Sequence, residues 1–73
     1  MSAATLWFMA TTGRELRVER LTNDVTLVAI AARMGISRQA LWALERAAIV
    51  KADRAEQYRQ ALADVIKASQ DAA

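Results

Sequence analysis

The chain contains no cysteine, no histidine and no proline, and only two of its 73 residues are glycine. With neither thiol nor imidazole available, it cannot build a zinc finger, a disulfide, a cysteine nucleophile or a histidine general base. No carboxylate pair, no nucleophile beside a base and no glycine-rich phosphate cradle stands out, so we expect no enzyme activity, no metal and no cofactor. Apolar runs stay far short of the roughly 20 residues that a membrane span requires, and nothing combines a charged start with a cleavage site. A soluble cytoplasmic protein is the expectation. Threonine and valine are scattered, while alanine, arginine, glutamate and glutamine are plentiful, which disfavours an all-β chain.

What remains is a composition suited to helices. Apolar residues make up 55% of the chain, and its length suffices for one small domain near the limit at which a single core stabilises itself. We read it as all-α: an apolar leader over 1–11, then a single domain over 12–70 made as a compact bundle of about four helices. The most informative stretch is LVAIAARMGISRQALWALER, from Leu27 to Arg46. Leu27, Ile30, Ala31 and Met34 recur at spacings of three and four and share one helical face. Gly35 ends that helix, because a helix C-terminus favours a left-handed residue and glycine adopts that conformation without a clash. Ile36 turns back toward the core, and Ser37 caps a new helix by accepting from the N–H of Gln39 or Ala40. Leu41 and Leu44 then form a fresh inward seam. The pattern predicts a central helix–turn–helix, with the small Ala31 where the two helices cross.

Around this centre the spacing predicts a first helix from about Gly13 to Leu21, capped by Thr12 with Glu15 completing a capping box, and burying Leu16, Leu21 and Val18. Thr22, Asn23 and Asp24 form a polar loop. Thr26 caps the second helix, which ends near Met34. The third runs from about Arg38 to Ala47, and Ala48 to Lys51 connect it to a longer fourth helix from about Asp53 to Ala68. Its apolar stripe is Ala55, Tyr58, Leu62, Val65 and Ile66. Ser69 to Ala73 should fray.

Net charge is only +2, a weak argument for nucleic acid over the whole chain, but its distribution says more. Arg33, Arg38, Arg46, Lys51 and Arg54 are interrupted only by Glu45 and Asp53. A locally basic surface around a reading helix supplies the phosphate contacts that set register on a duplex. The competing interpretation is a solvated face of mixed charge.

From GRELRVERL through ISRQALWALERA the chain resembles the Cro and C1-type helix–turn–helix family of phage repressors and small bacterial regulators. The resemblance covers roughly Gly13 to Leu62 and rests on Leu16, Arg20, Ala31, Gly35, Ile36, Ser37, Leu41, Leu44, Glu45 and Arg46 in their mutual spacing. It implies a lambda-repressor-like domain that places its third helix in the major groove of double-stranded DNA, in a bacterial cytoplasm or that of a phage's host. Carried over residue by residue, it makes Arg38, Gln39, Trp42 and Ala43 the base-reading positions, since arginine matches guanine O6 and N7, and glutamine matches adenine N6 and N7. Ser37, Arg46, Lys51 and Arg54 become phosphate contacts. Arg20 and Glu45 correspond to a structural salt bridge between the first and third helices. The chain departs from the family in having Leu27 where glutamine often meets phosphate, Trp42 at a position more often polar, and Ala47 where glycine often ends the reading helix.

Leu6, Trp7, Phe8 and Met9 are too apolar to leave in water and too few to span a membrane. They are candidates for a lid over the first and last helices, for a homodimer contact, or for docking a protein partner; binding to a membrane surface ranks below these. Two functions follow. One is a sequence-specific, dimeric DNA-binding regulator, a Cro-like repressor. The other is a protein-interaction module on the same fold, antitoxin-like or phage-encoded, using the aromatic residues Trp7, Phe8 and Trp42.

Overall fold

The computed structural model describes residues Thr11 to Ala72. Among these it is all-helical, with four helices: α1 (Gly13–Thr22), α2 (Leu27–Met34), α3 (Arg38–Glu45) and α4 (Ala52–Ala72). Leu6, Trp7, Phe8 and Met9, expected as a lid, a dimer contact or a docking segment, lie outside the described residues. No helix among the described residues is long and apolar enough to cross a membrane.

Local chemistry sets the helix starts. The hydroxyls of Thr12, Thr26 and Ser37 each accept a 3.1 Å hydrogen bond from the backbone N–H three residues on, at Glu15, Ala29 and Ala40 respectively. Each bond satisfies one of the N–H groups that a helix N-terminus leaves without a partner. Gly35 sits at φ 69°, and the Ile36 N–H returns 3.0 Å to the Ala31 carbonyl, closing α2 with the six-to-one bond of a left-handed helix end.

The core is Leu16, Val25, Ile30, Ala31, Leu41, Val50, Ala55, Tyr58, Ala61 and Leu62, with Leu27, Met34, Ile36, Leu44, Val65 and Ile66 packed around it. α2 rests chiefly on α4 and on α3, whereas α1 lies against α3 and, less extensively, α4. Ala31 is buried at the helix–turn–helix contact.

Four expectations need correction. Leu21 and Val18 do not line the inner side of α1; both are about half exposed, at 51% and 53%, and the buried positions are Gly13, Leu16 and Arg20. At about 100° per residue, Leu21 falls about 140° around the helix from Leu16, whereas Arg20 and Gly13 lie one turn away on either side. Thr12 caps α1, but the return bond from the Glu15 side chain that would complete a capping box is not among the hydrogen bonds formed. α3 stops at Glu45 instead of Ala47, because the Ala47 carbonyl accepts from the N–H of Gly13 at 3.0 Å and the chain then turns to pair Thr11 with Val50. α4 begins at Ala52 and continues to Ala72, through the segment expected to fray; alanine and glutamine favour helix, and no glycine or proline intervenes.

Gly13 carries a constraint of a different kind from Gly35. A Cβ at this position would stand 2.3 Å from the Leu44 carbonyl oxygen and 2.6 Å from the Glu45 carbonyl carbon. Both atoms are backbone and cannot swing aside. The first turn of α1 therefore meets the last turn of α3 at a distance that only glycine allows.

Candidate nucleic-acid interface

α3 has two faces with different neighbours. Leu41 is fully buried, Glu45 one turn later is buried too, and Leu44 is partly so. The opposite positions, Arg38, Gln39, Trp42 and Ala43, are all exposed, and Arg46 follows on the same side.

The inner face is fixed by a polar network. Arg20 of α1 approaches Glu45 through two bonds, Nε to Oε2 at 2.8 Å and Nη2 to Oε1 at 3.0 Å, and its Nη1 donates to the Val25 carbonyl at 2.9 Å. The Tyr58 hydroxyl of α4 donates to the same Oε2 at 2.6 Å. One carboxylate thus joins α1, α3 and α4, and its side chain is only 3% exposed. Burial alone would raise the Glu45 carboxyl, but the hydrogen bonds from Arg20 and Tyr58 and the positive charges of Arg20 and Arg17 outweigh it and hold the group below its ordinary value. The Arg20 guanidinium is raised, chiefly by its bond to Glu45 against the cost of burial. Burial and the bond to Glu45 both push the Tyr58 phenol upward, keeping it a donor. No buried side-chain polar atom among the described residues lacks a partner. A second ion pair, Arg59 with Glu19 at 2.9 Å, ties α4 to α1 at the surface, where solvent leaves such pairs worth little.

On the outer side, the Arg46 guanidinium lies 4.0 Å from the centroid of the Trp42 ring, a cation–π geometry. This pair forms one wall of an open groove of about 650 Å³ between α1 and α3, with Arg14 and Arg17 on the other wall and Leu27 at one edge. A separate groove of about 630 Å³ lies between the end of α2 and α4, where Arg33 and Arg54 mix with Asp53, Glu56 and Asp64. Among the described residues, no group of three acidic side chains is placed to hold a metal ion.

The structure therefore gathers Arg38, Gln39, Trp42 and Ala43 on one exposed face and joins Arg46 to it by the cation–π contact with Trp42. Ser37 lies at the head of that face, its oxygen engaged as the cap of α3. Lys51 is exposed but outside the α1–α3 groove, and Arg54 belongs to the second, more acidic groove, where its Nη1 donates to Gln57 at 2.9 Å. Arg20 and Glu45 form the ion pair that their positions suggested. Sequence reasoning passed over Arg14 and Arg17, which precede the basic cluster, although their three-residue spacing on a helix places them on one face. It also read Tyr58 only as an apolar-stripe residue and missed its hydroxyl as the third partner of Glu45. No protein-family model, curated protein or solved structure matches the chain.

Proposed function

We propose that the protein is a sequence-specific double-stranded DNA-binding regulator that reads the major groove with α3. The supporting observation is the division of α3: an inner face locked to two other helices through Glu45, and an outer face that presents Arg38 and Gln39 without burying them. Rigid support beneath exposed, fork-shaped donors is what direct base readout needs, since each bidentate contact discriminates by about 1–3 kcal/mol only if it is held in register. The resemblance of its motif residues to Cro and C1-type regulators supports this reading, under which the protein binds a two-fold operator as a dimer, because one such helix spans only a few base pairs. The bacterial cytoplasm is the corresponding compartment.

Selection of bound sequences from random duplex DNA, with the stoichiometry of the complex, tests the proposal. Enrichment of a symmetric site, lost or altered in Arg38→Ala and Gln39→Ala, is the expected result. Failure to enrich any sequence overturns it and favours a protein-interaction module. The exposed Val18, Leu21, Val28, Trp42 and Ile49, each about half accessible, are the observation that keeps this second reading in play; partner binding would then depend on these side chains and little on salt.

A further inference from the structure

We propose that the α1–α3 groove holds one phosphate strand of the bound duplex, with Arg14, Arg17 and Arg46 as its phosphate contacts and Trp42 as the wall against which the sugar packs. The inference rests on the duplex-binding reading and assigns to α1 a part in it that the motif alone does not contain.

Charge decides between the two grooves. The α1–α3 groove is lined by Arg14, Arg17, Arg20 and Arg46 against the single acid Glu45. That acid is committed: Oε2 accepts from both Arg20 and Tyr58, and Oε1 accepts from Arg20. Among the described residues neither Arg14, Arg17 nor Arg46 forms an ion pair, and the first ten residues contain no aspartate or glutamate to supply one. The second groove sets two arginines against three acids and repels an anion.

Geometry adds the direction. Arg14 and Arg17 stand one turn apart on α1 and are both exposed. Close approach of the two helices at Gly13 fixes where these arginines stand relative to α3. The Arg46 guanidinium carbon lies 4.0 Å from the centroid of the Trp42 ring, and among the described residues the guanidinium N–H groups make no hydrogen bond, which leaves them for a phosphate oxygen. Leu27, at the groove's edge, offers no side-chain donor. Donors here come from α1 and from the end of α3, while Arg38 and Gln39, outside the groove lining, are left for the bases.

The test is the salt dependence of binding of the full chain to its selected duplex. Each phosphate contact contributes about 0.9 to the slope of log affinity against log salt. Arg14→Gln and Arg17→Gln should each make the slope shallower by about 0.9, and the double variant by about 1.8, with the enriched sequence unchanged. Arg14→Lys with Arg17→Lys should retain the slope. Lys67→Gln, which removes an equal charge from the exposed end of α4, should barely alter it. If the double glutamine variant keeps the wild-type slope while wild type binds its site selectively, the groove assignment fails and the duplex-binding reading stands. If the variant changes the enriched sequence, the arginines touch bases and the backbone assignment is overturned. If wild type binds no duplex at all, both fall. Thermal melts of the variants, expected to stay close to wild type because both arginines are exposed and the Arg17 charge is the smallest of the influences on Glu45, exclude unfolding as the cause.

Discussion

The two faces of α3 differ in what an amino-acid change there would disturb. On the inner face, the Glu45 carboxylate accepts three hydrogen bonds from groups of α1 and α4, and the neighbouring backbone lies close against Gly13. On the outer face, Arg38, Gln39 and Ala43 are exposed and form no side-chain hydrogen bond or ion pair among the described residues, and Trp42, about half exposed, carries the Arg46 guanidinium over its ring. The buried and the exposed side chains are thus separated by a half-turn of one eight-residue helix. The inner face determines where the helix stands, and the outer face is free to vary with little effect on the fold.

The hardest blow to that contrast is Glu45→Gln. Removing one partner of a buried ion pair costs about 3–5 kcal/mol, against a total of about 4–11 kcal/mol for a domain of this size. The melting temperature should fall by tens of degrees, at about 4–8 °C per kcal/mol. Acid should reproduce the effect. Because the folded carboxyl holds its proton less tightly than the unfolded one, its contribution is complete above the unfolded value of about 4.3 and is lost as pH falls through the lower folded value. The gap in melting temperature between wild type and Glu45→Gln should narrow over that window; a gap constant from pH 6 to pH 3 would remove Glu45 from the acid response.

A smaller effect, about 1–3 kcal/mol, is expected for Gly13→Ala, in which the new methyl meets immobile backbone and forces α1 from α3. Gly35→Ala should cost about 1–2 kcal/mol for a different reason, the left-handed φ of 69°. Amide chemical shifts separate the two. Gly13→Ala should move Leu44 and Glu45, and Gly35→Ala only the turn; unperturbed shifts at Leu44 and Glu45 would show a looser approach than 2.3 Å from Cβ to oxygen implies. The least effect on stability belongs to Arg46→Ala, about 0.5–1 kcal/mol from the lost cation–π contact with the Trp42 ring. Denaturant unfolding should place it close to wild type, and a larger loss would mean that the outer face also supports the fold.

These residues also show what can be read without a structure. Caps and turns were legible because their causes are local: Thr12, Thr26 and Ser37 bond three residues ahead, and Gly35 answers to its own torsion. The Arg20–Glu45 pair was legible only because the motif resemblance aligned two residues 25 positions apart. Tyr58 was placed on the buried stripe, but periodicity reports burial and says nothing about where a hydroxyl points. Gly13 looked like a helix-end residue, since its need for close approach arises from a segment some thirty residues later. Hydrophobicity points Leu21 inward, but its angle on the helix points it out, and Arg20 takes the inner position because Glu45 neutralises it. Arg14 and Arg17 were overlooked since a basic patch counted along the sequence misses charges that only folding assembles.

The pairing of Thr11 with Val50, closed by a 2.8 Å bond from the Val50 N–H to the Thr11 carbonyl, moors the start of the domain beside the link between α3 and α4. The mooring is held from a second side, because the neighbouring Gly13 N–H donates to the Ala47 carbonyl at 3.0 Å. A spectroscopic probe attached there would report distances to the rest of the molecule from a fixed origin.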